Sequence, residues 1–454
     1  MLKGYTREEK SWMMYDWANS AHSVIIVTLL PIFYSSVAKA TANATSAMQT
    51  WGYVTSGAMF IIAALSPILG ALGDFAGYRK KLFIAFMIMG VLPCVGLAFT
   101  PLSGFEKAAA IAEKVGPVIL ILYVISQLGY SYANLYYDSF LPDVTTNERM
   151  DKVSTMGYGL GYIGGSTVPL LLFLILNLVG VDMLYCLSFA FGFTAIWWCC
   201  FTWPLIKNVE QKSSIPPQKG ALLVALKGLS GTMRDIFRHK SIFVFLIAYF
   251  FYIDGVGTII HMSTIYGDTL GLNATSMMLA MLLVQLLGLP FCLLYIKLAD
   301  KFGARKMVGV GILIYMCTCV FGFFVRSEWQ FWMLAVMVST SQGGIQALSR
   351  SMFGKMIPDK NRTGEYFGFY DIFGKFSTIM GPLVCSWAMG VATNAIMKTE
   401  NIASNASPEV FADIAARSAP WGVLSILLIF FVGAALYFFV LPRCLKEENV
   451  DIAT

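Results

Sequence analysis

The chain has 454 residues, of which 57% are hydrophobic and only 13% are charged. A soluble globular domain carries about 25% charged residues, so this composition excludes a soluble protein and indicates an integral membrane protein. The net charge of +6 does not indicate nucleic-acid binding, because the basic residues of membrane proteins accumulate in cytoplasmic loops.

Twelve apolar segments of the chain are long enough to cross a membrane as α-helices. About 20 apolar residues span a hydrocarbon core of ~30 Å, and a helix satisfies its backbone hydrogen bonds internally. The predicted segments, which we number helices 1 to 12, are residues 12–38, 50–73, 82–101, 116–140, 153–178, 183–206, 241–267, 275–297, 307–325, 329–350, 366–393 and 419–441. The sequence therefore predicts an all-α integral membrane fold.

The distribution of basic residues predicts the topology. Most of the 32 Lys and Arg residues fall on one side if both termini are cytoplasmic, as the positive-inside rule requires. We therefore expect cytoplasmic termini and two pseudo-symmetric six-helix bundles, residues 1–206 and 241–454, joined by a linker of residues 207–240. Within this linker, residues 221–238 form either an amphipathic helix on the inner membrane surface or a plain solvated connection.

A short signature occurs twice, about half a chain apart. An aspartate follows helix 2 and helix 8, and a glycine and an Arg-Lys pair come next in both places. Such charges can pair with helix N-termini or with each other across the seam between the halves, which would latch the outward-facing state. The predicted gating residues, which include two inner-gate candidates from helices 4 and 10, are Gly70, Asp74, Gly77, Arg79, Lys80, Asp138, Asp300, Gly303, Arg305, Lys306 and Arg350.

Polar residues are concentrated on helices 1, 4, 7 and 10, whereas helices 3, 6, 9 and 12 have no charged residue or histidine in their apolar runs. Polar groups are costly in hydrocarbon, so polar helical faces indicate an aqueous pathway. The alternative is that these groups only hydrogen-bond between helices and hold the bundle together. The predicted substrate or proton pathway comprises Asp16, Asn19, Ser20, His22, Gln127, Asn134, Asp254, Thr258, His261, Gln342 and Gln346.

Asp254 is the strongest of these candidates. It lies near the expected bilayer midplane, where a charged Asp costs roughly 2.5 to 3.5 kcal/mol. His261 lies two turns further along the same helix and either exchanges protons or simply packs in the interior. Asp16 and His22 occupy similar places on the first helix of the other half, which suggests a pseudo-twofold axis along the membrane normal.

Other patterns argue against catalysis and indicate packing. The nine cysteines lie in or beside apolar segments without metal-ligand spacing, so the sequence predicts neither a metal nor a cofactor. No nucleophile elbow, phosphate loop or metal-spaced histidine pair is present, which argues against an enzyme. On helix 5, Gly157, Gly161 and Gly165 recur every four residues, which predicts a close contact with another helix.

Several segments carry a family resemblance. Residues 70–80 resemble the loop 2-3 signature of the major facilitator superfamily, although Phe75 stands where a basic residue is usual. Residues 15–21, 140–143 and 346–351, in this order and spacing, resemble the vacuole-effluxer-like branch, also called the unknown major facilitator family. The resemblance implies a twelve-helix facilitator fold with helices 1, 4, 7 and 10 lining the cavity, and it implies amino-acid export from the vacuole for the fungal members.

We therefore expect a secondary transporter of a small polar organic solute, amino acids first, that works by alternating access. The expected partners are the solute, protons as a candidate coupling ion and the lipid bilayer, and the expected state is a monomer in a bacterial plasma membrane. One alternative is a proton-coupled exporter of amphipathic drugs, for which 24 methionines and 14% aromatic residues would form an adaptable wall. Another is a membrane sensor that keeps the fold without transport.

Overall fold

The structure, a computed structural model, describes residues 2–39, 44–216, 218, 220–402 and 407–448. Regular structure in this part of the chain is helical, and the long helices occur in the order of the predicted segments, whose numbers they keep. Helices 1 to 6 are Arg7–Lys39, Ala44–Gly73, Tyr78–Phe99, Ala109–Ser139, the continuous run Asn147–Leu160, Gly161–Thr167 and Val168–Leu178, and Met183–Asn208. Helices 7 to 12 are Lys240–Thr269, Ala274–Phe302, Ala304–Phe323, Glu328–Met356, Thr363–Thr399, and the run Pro408–Ala435, Leu436–Val440 and Leu441–Glu447.

Eleven helices of the described residues are long and apolar enough to cross a membrane. The protein is therefore a multi-pass membrane protein. Helix 10 does not reach that hydropathy, because its interior carries several Ser and Gln residues and Arg350. Helix 12 begins at Pro408 rather than near residue 419, since its first turns carry charged residues that an apolar run does not include.

The contacts within the chain define two units. The first contains Met1–Arg234 and Ile357–Ile372, and the second contains Asp235–Met356 and Phe373–Thr454. The beginning of helix 11 thus groups with the helices of the first unit, although the sequence pattern puts this segment in the C-terminal bundle.

Helix 5 packs against helix 1 through its glycines, which confirms the predicted close contact. A Cβ atom on Gly161 would lie 2.6 Å from Ser20 Oγ, and one on Gly165 would lie 2.6 Å from Ser20 Cβ. A Cβ on Gly157 would overlap Asp16 Oδ2. Real Cβ atoms do not approach so closely, so any larger residue would push the two helices apart.

The linker contains a helix, Ala221–Arg238, which we call the linker helix. This confirms the helical alternative for these residues. Ala225 is buried in a small cluster with Ala71 and Phe75, at the end of helix 2 and the start of the following loop. The linker helix is therefore anchored to the first unit along one edge.

Candidate transport pathway and latch

The first copy of the repeated signature forms a buried ion-pair triad. Arg79 donates Nη2 to Asp74 Oδ1 and Nη1 to Asp143 Oδ2, both at 2.8 Å. The exposed fractions are 0% for Arg79 and Asp74 and 5% for Asp143. Desolvation of buried ions offsets much of their attraction, so such a triad fixes geometry more than it adds stability.

Asp74 also caps the N-terminus of helix 11. Its Oδ1 accepts the Gly364 N–H at 2.7 Å, and its Oδ2 accepts the Glu365 N–H at 2.8 Å. The first N–H groups of a helix lack intrahelical acceptors, and a carboxylate there also interacts favourably with the helix dipole. Burial raises the pKa of the Asp74 carboxyl, while the Arg79 charge and the two N–H donors act in the opposite direction. Asp74 therefore joins the loop after helix 2 to the start of helix 11.

Helix 2 and the start of helix 11 touch through their backbones. A Cβ on Gly70 would overlap the Gly364 carbonyl oxygen, and one on Gly368 would lie 2.6 Å from the Ser66 carbonyl oxygen. The Ser66 hydroxyl donates to Asp371 Oδ2 at 2.6 Å. Glycine is required on both sides of this contact because no side chain fits between the two backbones.

Residues of the linker close over the triad. The Ile215 N–H donates to the Asp74 carbonyl at 2.8 Å, and the Ala76 N–H donates to the Ile215 carbonyl at 3.0 Å. The Ser213 N–H donates to Asp143 Oδ1 at 3.0 Å. Burial of the triad removes the neighbouring backbone groups and the Asp143 carboxylate from water, and these bonds replace the hydrogen bonds that water would have made. We call the triad, residues 213–215 of the linker and the start of helix 11 the latch.

The second copy of the signature has a different environment. Asp300 and Lys306 are exposed and Arg305 is half-buried, although their sequence matches the first copy closely. Gly77 and Gly303 both have positive φ, at 76° and 90°, which favours glycine at both positions. Their ψ angles are 3° and 144°, so the two loops turn differently.

The remaining gating candidates lie in or near the helices. Lys80 and Asp138 are half-buried, and Arg350 is buried on helix 10.

Polar side chains join helix 1 to helix 4. Asn19 Nδ2 donates to Asn134 Oδ1 at 2.7 Å. The Tyr137 hydroxyl donates to Asp16 Oδ2 at 2.8 Å. Sequence reasoning missed Tyr137, although it lies three residues after Asn134 on the same helical face. Ser20 turns away towards helix 5, and its hydroxyl donates to the Asp16 carbonyl at 2.7 Å.

His22 lies apart from this group. It is 0% exposed, and its Nε2 lies 2.8 Å from Ser126 Oγ. Its ring stacks on Tyr130 with centroids 4.4 Å apart. The structure thus places His22 in an aromatic packing environment. Gln127, by contrast, is 5% exposed, and its Oε1 is buried without a hydrogen-bond partner among the described residues.

Asp254 is buried against helix 11 in the second unit. It is 0% exposed, and its Oδ1 accepts the Gly381 N–H at 2.8 Å. Asp254 Oδ2 and Thr258 Oγ1 are both buried without a partner among the residues that the structure describes. A Cβ on Gly381 would overlap Thr258 Oγ1 and would lie 2.9 Å from Asp254 Oδ1. The side chains of Asp254 and Thr258 therefore both lie against the backbone of helix 11 at Gly381, which has no side chain.

The other second-unit candidates have mixed environments. The His261 side chain is exposed, whereas Asp254, two turns earlier on the same helix, is buried. On helix 10, Gln342 is buried and Gln346 is half-buried. Gln285 on helix 8, which sequence reasoning did not select for the pathway, has a buried Oε1 without a partner in the described part of the chain.

Comparison with known proteins decides the family. Residues 50–396 match the family described as vacuole effluxer Atg22 like. The chain belongs to this family. A relative from Bacillus subtilis (strain 168), the uncharacterized MFS-type transporter YxiO, is 40% identical over 100% of this chain and 98% of its own length. Autophagy-related protein 22 of Coccidioides immitis (strain RS) is 21% identical, over 73% of this chain and 66% of its own length.

Solved structures show the same fold for this Atg22-like chain. The proton:xylose symporter XylE matches 96% of this chain and 94% of its own with a TM-score of 0.66 and 14% identity. The human organic anion transporter MFSD10 matches 95% of this chain and 99% of its own with a TM-score of 0.61 and 14% identity. The predicted family is confirmed, and the protein is an MFS-type transporter, not an enzyme.

Proposed function

We propose that this protein is a secondary active transporter of a small polar organic solute, with amino acids the first class to test. The observation that carries the proposal is the presence, among the described residues, of buried acceptors without hydrogen-bond partners, which include Gln127 Oε1 on helix 4 and Asp254 Oδ2 on helix 7. A buried polar group without a hydrogen bond costs about 1 to 3 kcal/mol, so a ligand is a natural explanation. An ammonium group has three donors and no acceptor, which suits such acceptors.

The proposed mechanism is alternating access between two six-helix bundles, residues 1–206 and 241–454, on either side of the linker 207–240. We propose helix 10 as the twelfth span and a cytoplasmic position for both termini. We also propose that the transporter is a monomer in a bacterial plasma membrane. The latch would form and break in each cycle. The remaining gating candidates would help to close the same cytoplasmic side of the transporter. Protons are the proposed coupling ion, with Asp254 as their carrier and export as the proposed direction.

The test is counterflow of labelled amino acids into proteoliposomes, with and without a pH gradient. Asp254→Asn keeps the shape of the side chain and removes its charge, so we expect at least a tenfold loss of pH-driven transport. Asp268→Asn alters an exposed carboxylate on the same helix and serves as the control, with expected rates within twofold of the wild type. Equal transport by Asp254→Asn and wild type across pH would refute the role of this carboxylate.

The same vesicles separate the rival functions. Efflux of amphipathic cations without amino-acid counterflow would support a drug exporter. No flux of any solute in a well-folded preparation would support a sensor that has kept the fold.

A further inference from the structure

The linker helix has one face buried against protein. Ala225 and Thr232 are 4% and 0% exposed, and Ala225 packs on Ala71 and Phe75. These residues share one sector of the helix, since successive residues turn by about 100°. The helix is therefore fixed in rotation, and its other sectors must face outward.

A second sector is apolar and exposed. Leu222, Leu226, Met233 and Phe237 are 54%, 43%, 49% and 57% exposed, and they lie within about 60° of one another around the helix axis. Folded proteins rarely leave such a continuous apolar stripe in water. This stripe requires an apolar neighbour.

A third sector is cationic and borders the apolar one. Lys227, Arg234 and Arg238 are exposed, and they lie within about 40° of one another. The helix carries a single acidic residue, Asp235, which lies about 80° from the centre of this row, on the side away from the apolar stripe. A basic row beside an apolar stripe is typical of helices that lie in a membrane interface.

The anchor of the linker helix fixes its depth. Ala71 lies at the end of the apolar span Thr50–Gly73, and Phe75 lies between that span and the next, which begins at Tyr78. The linker helix packs on both residues, so it lies at the level where membrane spans end. Phospholipid phosphates occupy this level of a bilayer.

We propose that the linker helix lies in the headgroup region of the bilayer and binds anionic phospholipids. Its apolar stripe enters the acyl boundary, and Lys227, Arg234 and Arg238 contact the lipid phosphates. The three cations beside the apolar stripe complement the charge of an anionic leaflet. This complementarity favours lipid over a soluble protein as the neighbour of the stripe. This inference does not depend on which solute the transporter carries.

The linker helix also contacts the latch. Arg362 Nη1 donates to the Thr232 hydroxyl at 3.4 Å, and Arg362 immediately precedes helix 11, whose first N–H groups bind Asp74. Lipid that holds the linker helix in place therefore supports the start of helix 11. Anionic lipid is thus expected to stabilise the latched arrangement.

Hydrogen–deuterium exchange of the full chain in nanodiscs tests the proposal. We compare phosphatidylcholine nanodiscs with nanodiscs that also contain phosphatidylglycerol, and we follow peptides covering residues 221–238. Each cation near an anionic surface strengthens lipid binding by about fivefold, so three strengthen it by roughly a hundredfold. We expect slower exchange with phosphatidylglycerol at low salt. The difference should shrink at 1 M salt, where the Debye length falls to about 3 Å.

The variant Lys227→Gln/Arg234→Gln/Arg238→Gln should lose the lipid dependence and keep the wild-type melting temperature in detergent, where anionic lipid is absent. The matched control, Lys301→Gln/Arg443→Gln/Lys446→Gln, removes three exposed charges elsewhere and should keep the lipid dependence. Equal exchange in the two lipid mixtures, or loss in the control alone, would overturn the proposal. Protection that appears only with two copies in one nanodisc would assign the stripe to a second copy and would also overturn it.

Discussion

Asp74 is bonded both to the Arg79 side chain at the start of helix 3 and to the backbone of helix 11, 290 residues further along the chain. Asp74→Asn leaves Arg79 paired with Asp143, but it removes the charge that accepts hydrogen bonds from Arg79 and from two N–H groups of helix 11. A hydrogen bond to a charged group contributes about 1.5 to 3 kcal/mol. We therefore expect Asp74→Asn to lower the melting temperature by several degrees. The control is Asp268→Asn, which alters an exposed carboxylate at the end of helix 7 and should change stability by less than about 0.5 kcal/mol. Thermal unfolding of both variants in one detergent gives the comparison, and equal shifts would contradict the buried role of Asp74.

At the scale of single residues, the sequence indicated which kinds of interaction a side chain can make, but not which residue is its partner. An aspartate after helix 2 predicts pairing with some helix N-terminus, but the residue types alone do not say which helix. The partner is helix 11 because Gly70 and Gly364 allow the two backbones to touch. Tyr137 was missed because aromatic residues on a membrane helix are usually lipid-facing or core residues, and only the structure shows its bond to Asp16.

At the scale of elements, the contact between helices 2 and 11 depends on small residues. In Gly70→Ala, the new methyl group would overlap the Gly364 carbonyl oxygen, and overpacking costs typically 1 to 3 kcal/mol. We expect this variant to melt earlier and to expose the first amides of helix 11 to faster exchange. Gly57→Ala is the matched control on the same helix, since a Cβ there meets nothing within 4 Å. Slower exchange in Gly70→Ala than in Gly57→Ala would contradict the contact.

Apolar runs predicted each long helix, because hydrocarbon requires internal backbone hydrogen bonding over about 20 residues. They did not predict the ends. Helix 12 extends back to Pro408 through Glu409, Asp413 and Arg417, which a hydropathy pattern excludes. The linker helix was one of two alternatives, because an amphipathic pattern in a loop becomes a helix only where a surface such as Ala71 and Phe75 receives it.

At the scale of the whole molecule, transport should open the latch in every cycle. The amides of Gly364 and Glu365 report its state directly, because their acceptor is Asp74. During turnover with a transported solute, we expect these two amides to exchange faster than with a solute that is not transported. Exchange mass spectrometry in proteoliposomes measures this difference, and identical rates with both solutes would show that the latch stays closed during the cycle.

The bridge at Ile215 indicates where the chain can be divided. Ile215 pairs with the loop after helix 2, so a gene split after the codon for Pro216 would leave residues 213–215 with the N-terminal fragment. That fragment would keep the linker residues that hydrogen-bond to its own ion-pair triad. The C-terminal fragment would begin just before the linker helix. Two separately encoded halves are therefore expected to reassemble when they are coexpressed. A split before Gln211 would instead remove from the first half the linker residues that bond to its triad.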